Sequence, residues 1–199
     1  MSQPPPFSRQ LQTWLRRSKN HTIAGIIDVF ADRSFAILIF LLMFLPAMPI
    51  PTGGFSHVFE IIVMLLAGQM IVGQKEIWLP ARWRTYSLGG LTTKKVLPHL
   101  IRVLAWFEKH SRQRFIKLMQ YRHTDNFIGL AILIFTLAAF LAPPFSGLDT
   151  IPSIAVELLA LSIILRDGLF IVAGLVVGSL GIVAIVGVSS LLVKLIRSF

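Results

Sequence analysis

The chain has 199 residues, 55% of them apolar and only 14% charged, where soluble domains run nearer 25% charged. Its 19 Lys and Arg against 9 Asp and Glu leave a net charge of +10, and it has no Cys. With a mean hydropathy of +0.75, these figures exclude a disordered chain, a disulfide-stapled module and a thiolate metal site. They point to an all-α polytopic membrane protein.

Residues 1–33 form a first unit with five basic and two acidic residues. Phe7, Leu11, Trp14 and Leu15 recur at helical spacing among Arg9, Arg16 and Arg17, which predicts an amphipathic helix at the cytoplasmic surface. Ile23, Ile26, Ile27 and Phe30 repeat the pattern, with Thr22 as a cap. The first long apolar run starts near Phe35, so no cleavable signal peptide is expected.

Residues 34–73 contain a single charged residue, Glu60. Two apolar arms flank Pro46, Pro49, Pro51, Gly53 and Gly54. Proline lacks the amide that continues a helix, so these residues form the tip of a hairpin. The arms are short against the roughly 20 residues of a full span, and they read either as short transmembrane helices or as re-entrant halves.

Residues 74–125 carry eleven basic and three acidic residues. Leu97, Leu100, Ile101 and Leu104 share one helical face there, the pattern of a basic interfacial linker whose partner is an anionic headgroup surface. The long apolar blocks on either side exclude a nucleic-acid-binding reading of the same charge. All four Trp and both Tyr lie outside those blocks, where interfacial rings belong. Keeping basic segments cytoplasmic places the N-terminus inside and makes the chain a multi-pass protein of the cytoplasmic membrane.

Residues 126–165 read as a second copy of the hairpin. Ala36-Ile37-Leu38-Ile39-Phe40 recurs as Ala131-Ile132-Leu133-Ile134-Phe135. A tip with Pro143, Pro144 and Gly147 follows, then an arm carrying Glu157. Residues 166–199 hold a Gly-rich C-terminal span, uncharged over 168–193. At 1.5 Å per residue it is about 39 Å long, more than the bilayer core of about 30 Å. A break near 178–181 is therefore expected, returning Lys194 and Arg197 to the cytoplasm. Gly174 and Gly178 form a small-residue pair suited to close helix approach, compatible with an oligomer.

Glu60 and Glu157 are the sharpest candidate site residues, because a carboxyl in an apolar arm is costly and marks function by default. At the repeat offset both project from comparable helix faces, so meeting tips would couple them as a proton or cation site. Gln69 is a third polar residue within an arm, with an interhelical hydrogen bond as its ordinary role. The five His show no pairing at metal-ligand spacing, and no nucleotide or hydrolase motif is present. No metal, cofactor or enzyme activity is expected.

Two stretches carry a family resemblance. Leu45-Pro46-Ala47-Met48-Pro49-Ile50-Pro51 with Gly54-Phe55-Ser56-His57-Val58-Phe59, and Gln69 through Gly73 to Trp78-Leu79-Pro80, resemble the ExoD-like exopolysaccharide-synthesis family. Arg166-Asp167-Gly168 matches its pattern after the second hairpin, whereas Gln74 stands where the family has arginine. The resemblance implies a bacterial inner-membrane protein linked to exopolysaccharide synthesis or export. The paired broken hairpins with intramembrane acids add the expectation that it moves an ion, lipid carrier or polymer intermediate. The alternative is a non-transporting assembly or regulatory partner of the polysaccharide synthesis proteins.

Overall fold

The computed structural model describes residues 6–17, 22, 25, 33–48, 55–74, 76–78, 80, 97–111, 123–142 and 146–197. Pro49, Pro51, Gly53, Gly54, Leu79, Pro143, Pro144 and the Ile23–Phe30 pattern, Gly25 apart, lie outside them. Every regular element among the described residues is a helix: α1 Phe7–Arg17, α2 Ser34–Met43, α3 Phe55–Val72, α4 Leu97–His110, α5 Thr124–Leu141, α6 Thr150–Leu165 and α7 Leu169–Arg197. Of these, α5 and α7 are long and apolar enough to cross a membrane, while α2, α3 and α6 are shorter apolar helices.

Each apolar run becomes a helix where punctuation allows it. The α2 helix stops at Met43, and the chain turns through buried Pro46. The α6 helix starts at Thr150 and takes Pro152 into its first turn, where a missing amide harms nothing. Thr22 Oγ1 accepts the Gly25 N–H at 3.2 Å, the cap its position predicts.

Four helices close a ring in which α2 packs on α3 and α6, and α5 packs on the same two. The α3–α5 pair is antiparallel: Gly129 meets Met70 at one end, and the Phe140 ring meets His57 at the other. The start of α2 meets the end of α6, where Arg33 Nη1 donates to the Ile164 carbonyl at 2.7 Å. The starts of α2, α5 and α7 thus share a basal end with the ends of α3 and α6. The centre is filled by Ile37, Ile39, Phe40, Leu66 and Ile132, all buried.

The α7 helix lies antiparallel along α6 and touches α5. It corrects one expectation: it runs unbroken through Gly178-Ser179-Leu180-Gly181. The glycines there admit neighbours. A Cβ on Gly178 would sit 2.3 Å from the Phe135 ring, and one on Gly181 would sit 2.9 Å from Pro152. Helical hydrogen bonds survive at a glycine when packing fixes its backbone, so α7 carries Lys194 away from the basal end.

The amphipathic helices α1 and α4 pack on each other. Leu11, Trp14, Leu97 and Leu104 are buried and join the same core. Much of the apolar face read as interfacial is therefore covered by protein, while Trp78 and Trp106 stay exposed.

Candidate functional site

Glu60 sits on the second turn of α3, on the side turned toward α5, with 0% exposure. Its Oε2 meets His57 Nδ1 at 2.7 Å, one helical turn earlier on α3, the spacing at which side chains share a helix face. His57 is one-third exposed, and its ring packs edge-on against Phe140 at 5.0 Å. Asp149, just before α6, lies within electrostatic range of Glu60. The other oxygen, Glu60 Oε1, is buried with no hydrogen-bond partner.

Among the described residues two further buried side-chain oxygens share that condition, Thr136 Oγ1 on α5 and Glu157 Oε1 on α6. The register of α3 against α5 puts Thr136 within about a turn of the level of Glu60. Glu157 occupies the face of α6 turned away from α7, because Pro152, Ala155 and Leu159 hold the α7 side. Since α3 and α6 are diagonal in the ring, no bond or charge contact among the described residues joins the two glutamates. Glu60 is instead paired with His57. That partner is visible in the sequence as a titratable residue one turn from a buried acid; Thr136 carries no such signal.

Gln69 is spoken for elsewhere. Its amide donates to the Trp78 carbonyl at 3.0 Å, and its carbonyl accepts the Trp78 N–H at 2.7 Å. Gly73 adopts φ +78 just beyond α3. The Gly73 N–H donates to Met70 O and the Gln74 N–H to Gln69 O, both at 3.0 Å, which is a Schellman ending. Together they turn the chain back so that exposed Trp78 and half-buried Pro80 follow directly.

Arg166-Asp167-Gly168 is a second punctuation point. Arg166 takes φ 53 to end α6. Buried Asp167 starts α7, its Oδ1 accepting the Leu169 N–H at 3.0 Å and its Oδ2 accepting Ser111 Oγ at 2.9 Å. Nearby, Asn126 Nδ2 donates to the Ile71 carbonyl at 2.8 Å, tying the end of α3 to the start of α5. The motif residues thus act as positioning residues, and the polar groups left open lie on the α3–α5 interface and on α6.

The family model described as "Exopolysaccharide synthesis, ExoD" matches residues 7–187. The chain belongs to the ExoD family. It is 25% identical over 173 residues to an uncharacterized protein of Synechocystis, covering 85% of this chain and 81% of that one. It is 28% identical over 167 residues to Protein ExoD of Rhizobium meliloti, covering 79% of this chain and 66% of the relative. No solved structure matches it. Within this ExoD-family fold, Gln69, Gly73, Trp78 and Arg166-Asp167-Gly168 are the residues that end and start helices at the basal face.

Proposed function

We propose that this ExoD-family chain is an integral protein of the bacterial inner membrane, involved in exopolysaccharide synthesis or export. Its task there is to move an ion, a lipid carrier or a polymer intermediate. The family description and the name of its Rhizobium meliloti relative support the process. The observation that carries the transport reading is the set of buried, unpartnered oxygens of Glu60, Thr136 and Glu157 within an apolar bundle, since ionisable groups at membrane depth mark ion and substrate pathways.

Membrane insertion is supported by the outer faces of the helices. Ile61 and Leu65 on α3, Ile134 and Leu137 on α5, and Val176 and Leu180 on α7 are all large, apolar and exposed. Stripes of this extent exceed what soluble monomers leave in water, and acyl chains cover them. The repeat reading draws support from the packing order, in which the first arm of each hairpin lies against the second arm of the other. Two copies related by a two-fold axis along the bundle would pack that way.

The test is secreted polysaccharide in a deletion strain complemented with wild type, Glu60→Gln or Glu157→Gln at matched protein levels. Wild type restores polymer and Glu60→Gln does not; full restoration by both variants removes the transport reading. Topology is read by labelling Ser146→Cys in a chain with no other cysteine. Ser146 is preferable to Gly147, whose φ of +68 strains any side chain. Labelling from the outer face supports full spans, and protection from both faces supports re-entrant tips.

One observation favours the alternative, an assembly partner of the polysaccharide machinery. The second half of α7 exposes Val183, Val186 and Leu191, and among the described residues no other part of the fold lies within 4 Å of a Cβ on Gly187. Co-purification with a synthase through that stretch would support it, and an active isolated monomer would remove it.

A further inference from the structure

Among the described residues, Asp167 and Glu108 are carboxylates with both oxygens bonded, whereas Glu157 shares with Glu60 a buried oxygen that has no partner. Asp167 uses both oxygens, on the Leu169 amide and the Ser111 hydroxyl. The part-buried Glu108 uses both on Ser8, accepting its N–H at 3.0 Å on one oxygen and its hydroxyl on the other. Glu60 is the more deeply buried acid, yet only one of its oxygens is engaged. A permanently charged carboxylate in that state is expensive in an apolar interior, whereas a carboxyl that gains and loses a proton needs an open oxygen and a partner that reaches water. His57 is such a partner, bonded to Glu60 and one-third exposed.

We propose that His57 and Glu60 form a proton-accepting pair, with His57 taking the proton from water at the connector end of the bundle and Glu60 receiving it inside. The proposal rests on the transport reading and names the proton as the transported or coupled species. In the step, imidazolium Nδ1 releases its proton and an O–H bond forms on Glu60 Oε2. Imidazole and carboxyl are then both neutral, and water returns a proton to His57. Thr136 Oγ1 on α5, buried at nearly the same level and without a hydrogen-bond partner, is the group through which the proton would be led onward.

The surroundings favour a proton over a larger cation. Among the described residues no three His, Asp or Glu side chains converge as a metal site needs. The groups facing Glu60 are His57 on its own helix, Asp149 from the α5–α6 connector, and Thr136 on α5. Along α2 no side chain titrates, and the one titratable group on α6 is Glu157, which does not contact Glu60.

The test is an infrared pH titration of the purified full-length protein in nanodiscs, following the C=O stretch of protonated carboxyl groups. Wild type gives a titrating band that Glu60→Gln removes. His57→Gln shifts its midpoint by about one pH unit, a tenfold change in proton affinity. A wild-type spectrum without such a band, or a midpoint unmoved in His57→Gln, overturns the proposal, and both comparisons stand even if Glu60→Gln does not fold. A band displaced by sodium or potassium at constant pH overturns it in favour of an alkali cation. If the band is absent while the Glu60→Gln strain still fails to make polymer, the proton inference falls and the transport reading stands. If that strain makes wild-type polymer, the proton inference falls, and the transport reading falls with it when Glu157→Gln also restores polymer.

Discussion

At the basal end of the bundle, Gln69, Asn126 and Asp167 direct their side chains onto helix ends and neighbouring backbone. Nearer the connectors, Glu60, Thr136 and Glu157 each keep a buried oxygen without a partner. The two regions share helices but differ in how their polar groups are bonded. A buried polar group normally finds its hydrogen bonds. Where the bonds are complete, the side chain ties helix ends together; where an oxygen is left open, a buried polar group goes without the bond it normally finds. The proposed function assigns the open groups the working role, and the contrast between the two regions is where that assignment can be tested.

That division can be broken experimentally, and the effects form a descending series. Gly178→Leu should be the most severe, because a side chain must enter the space of the Phe135 ring. Overpacking costs about 1–3 kcal/mol or more, and the measurable outcome is loss of folded protein in membrane extracts. Asp167→Ala removes the start of α7 and the Ser111 bond. About 1–3 kcal/mol of stability is lost, read as a lower melting temperature in detergent.

Gln69→Ala breaks two bonds to the Trp78 backbone and costs about 1–2 kcal/mol. Proteolysis near residue 78 should quicken while polysaccharide output persists at matched protein levels. Glu60→Gln should change stability least, by under about 1 kcal/mol, since an amide keeps a bond to His57 and carries no charge. It should nonetheless remove polymer. If Gln69→Ala abolished output and Glu60→Gln spared it, the contrast between the two regions would be reversed.

Much of the fold was legible because its causes are local. The apolar runs around Glu60 and Glu157 became helices, and Thr22 accepts the Gly25 N–H as its position suggested. What failed was long-range. Gly178 and Gly181 looked like a breakpoint because glycine loosens an isolated helix; only the fold shows Phe135 and Pro152 seated against them. Which helices meet is likewise non-local: α3 and α6, which carry Glu60 and Glu157, come out diagonal in the ring. His57 was within reach of sequence reasoning as the residue one turn from Glu60, whereas Thr136 emerges only from the α3–α5 register.

The unbroken α7 also makes the molecule uneven in thickness. Its 29 residues extend about 43 Å, while the 16 residues of α6 beside it extend about 24 Å. In the membrane setting proposed above, lipids meeting the short helices would be drawn into a dimple and those meeting α7 held at greater height. Deforming a bilayer this way costs a fraction of a kcal/mol for each ångström of mismatch. Under that proposal, a protein shaped as a step would make its own demand on membrane thickness, and lipid composition would set how easily the thin side, with Glu60, is brought near water.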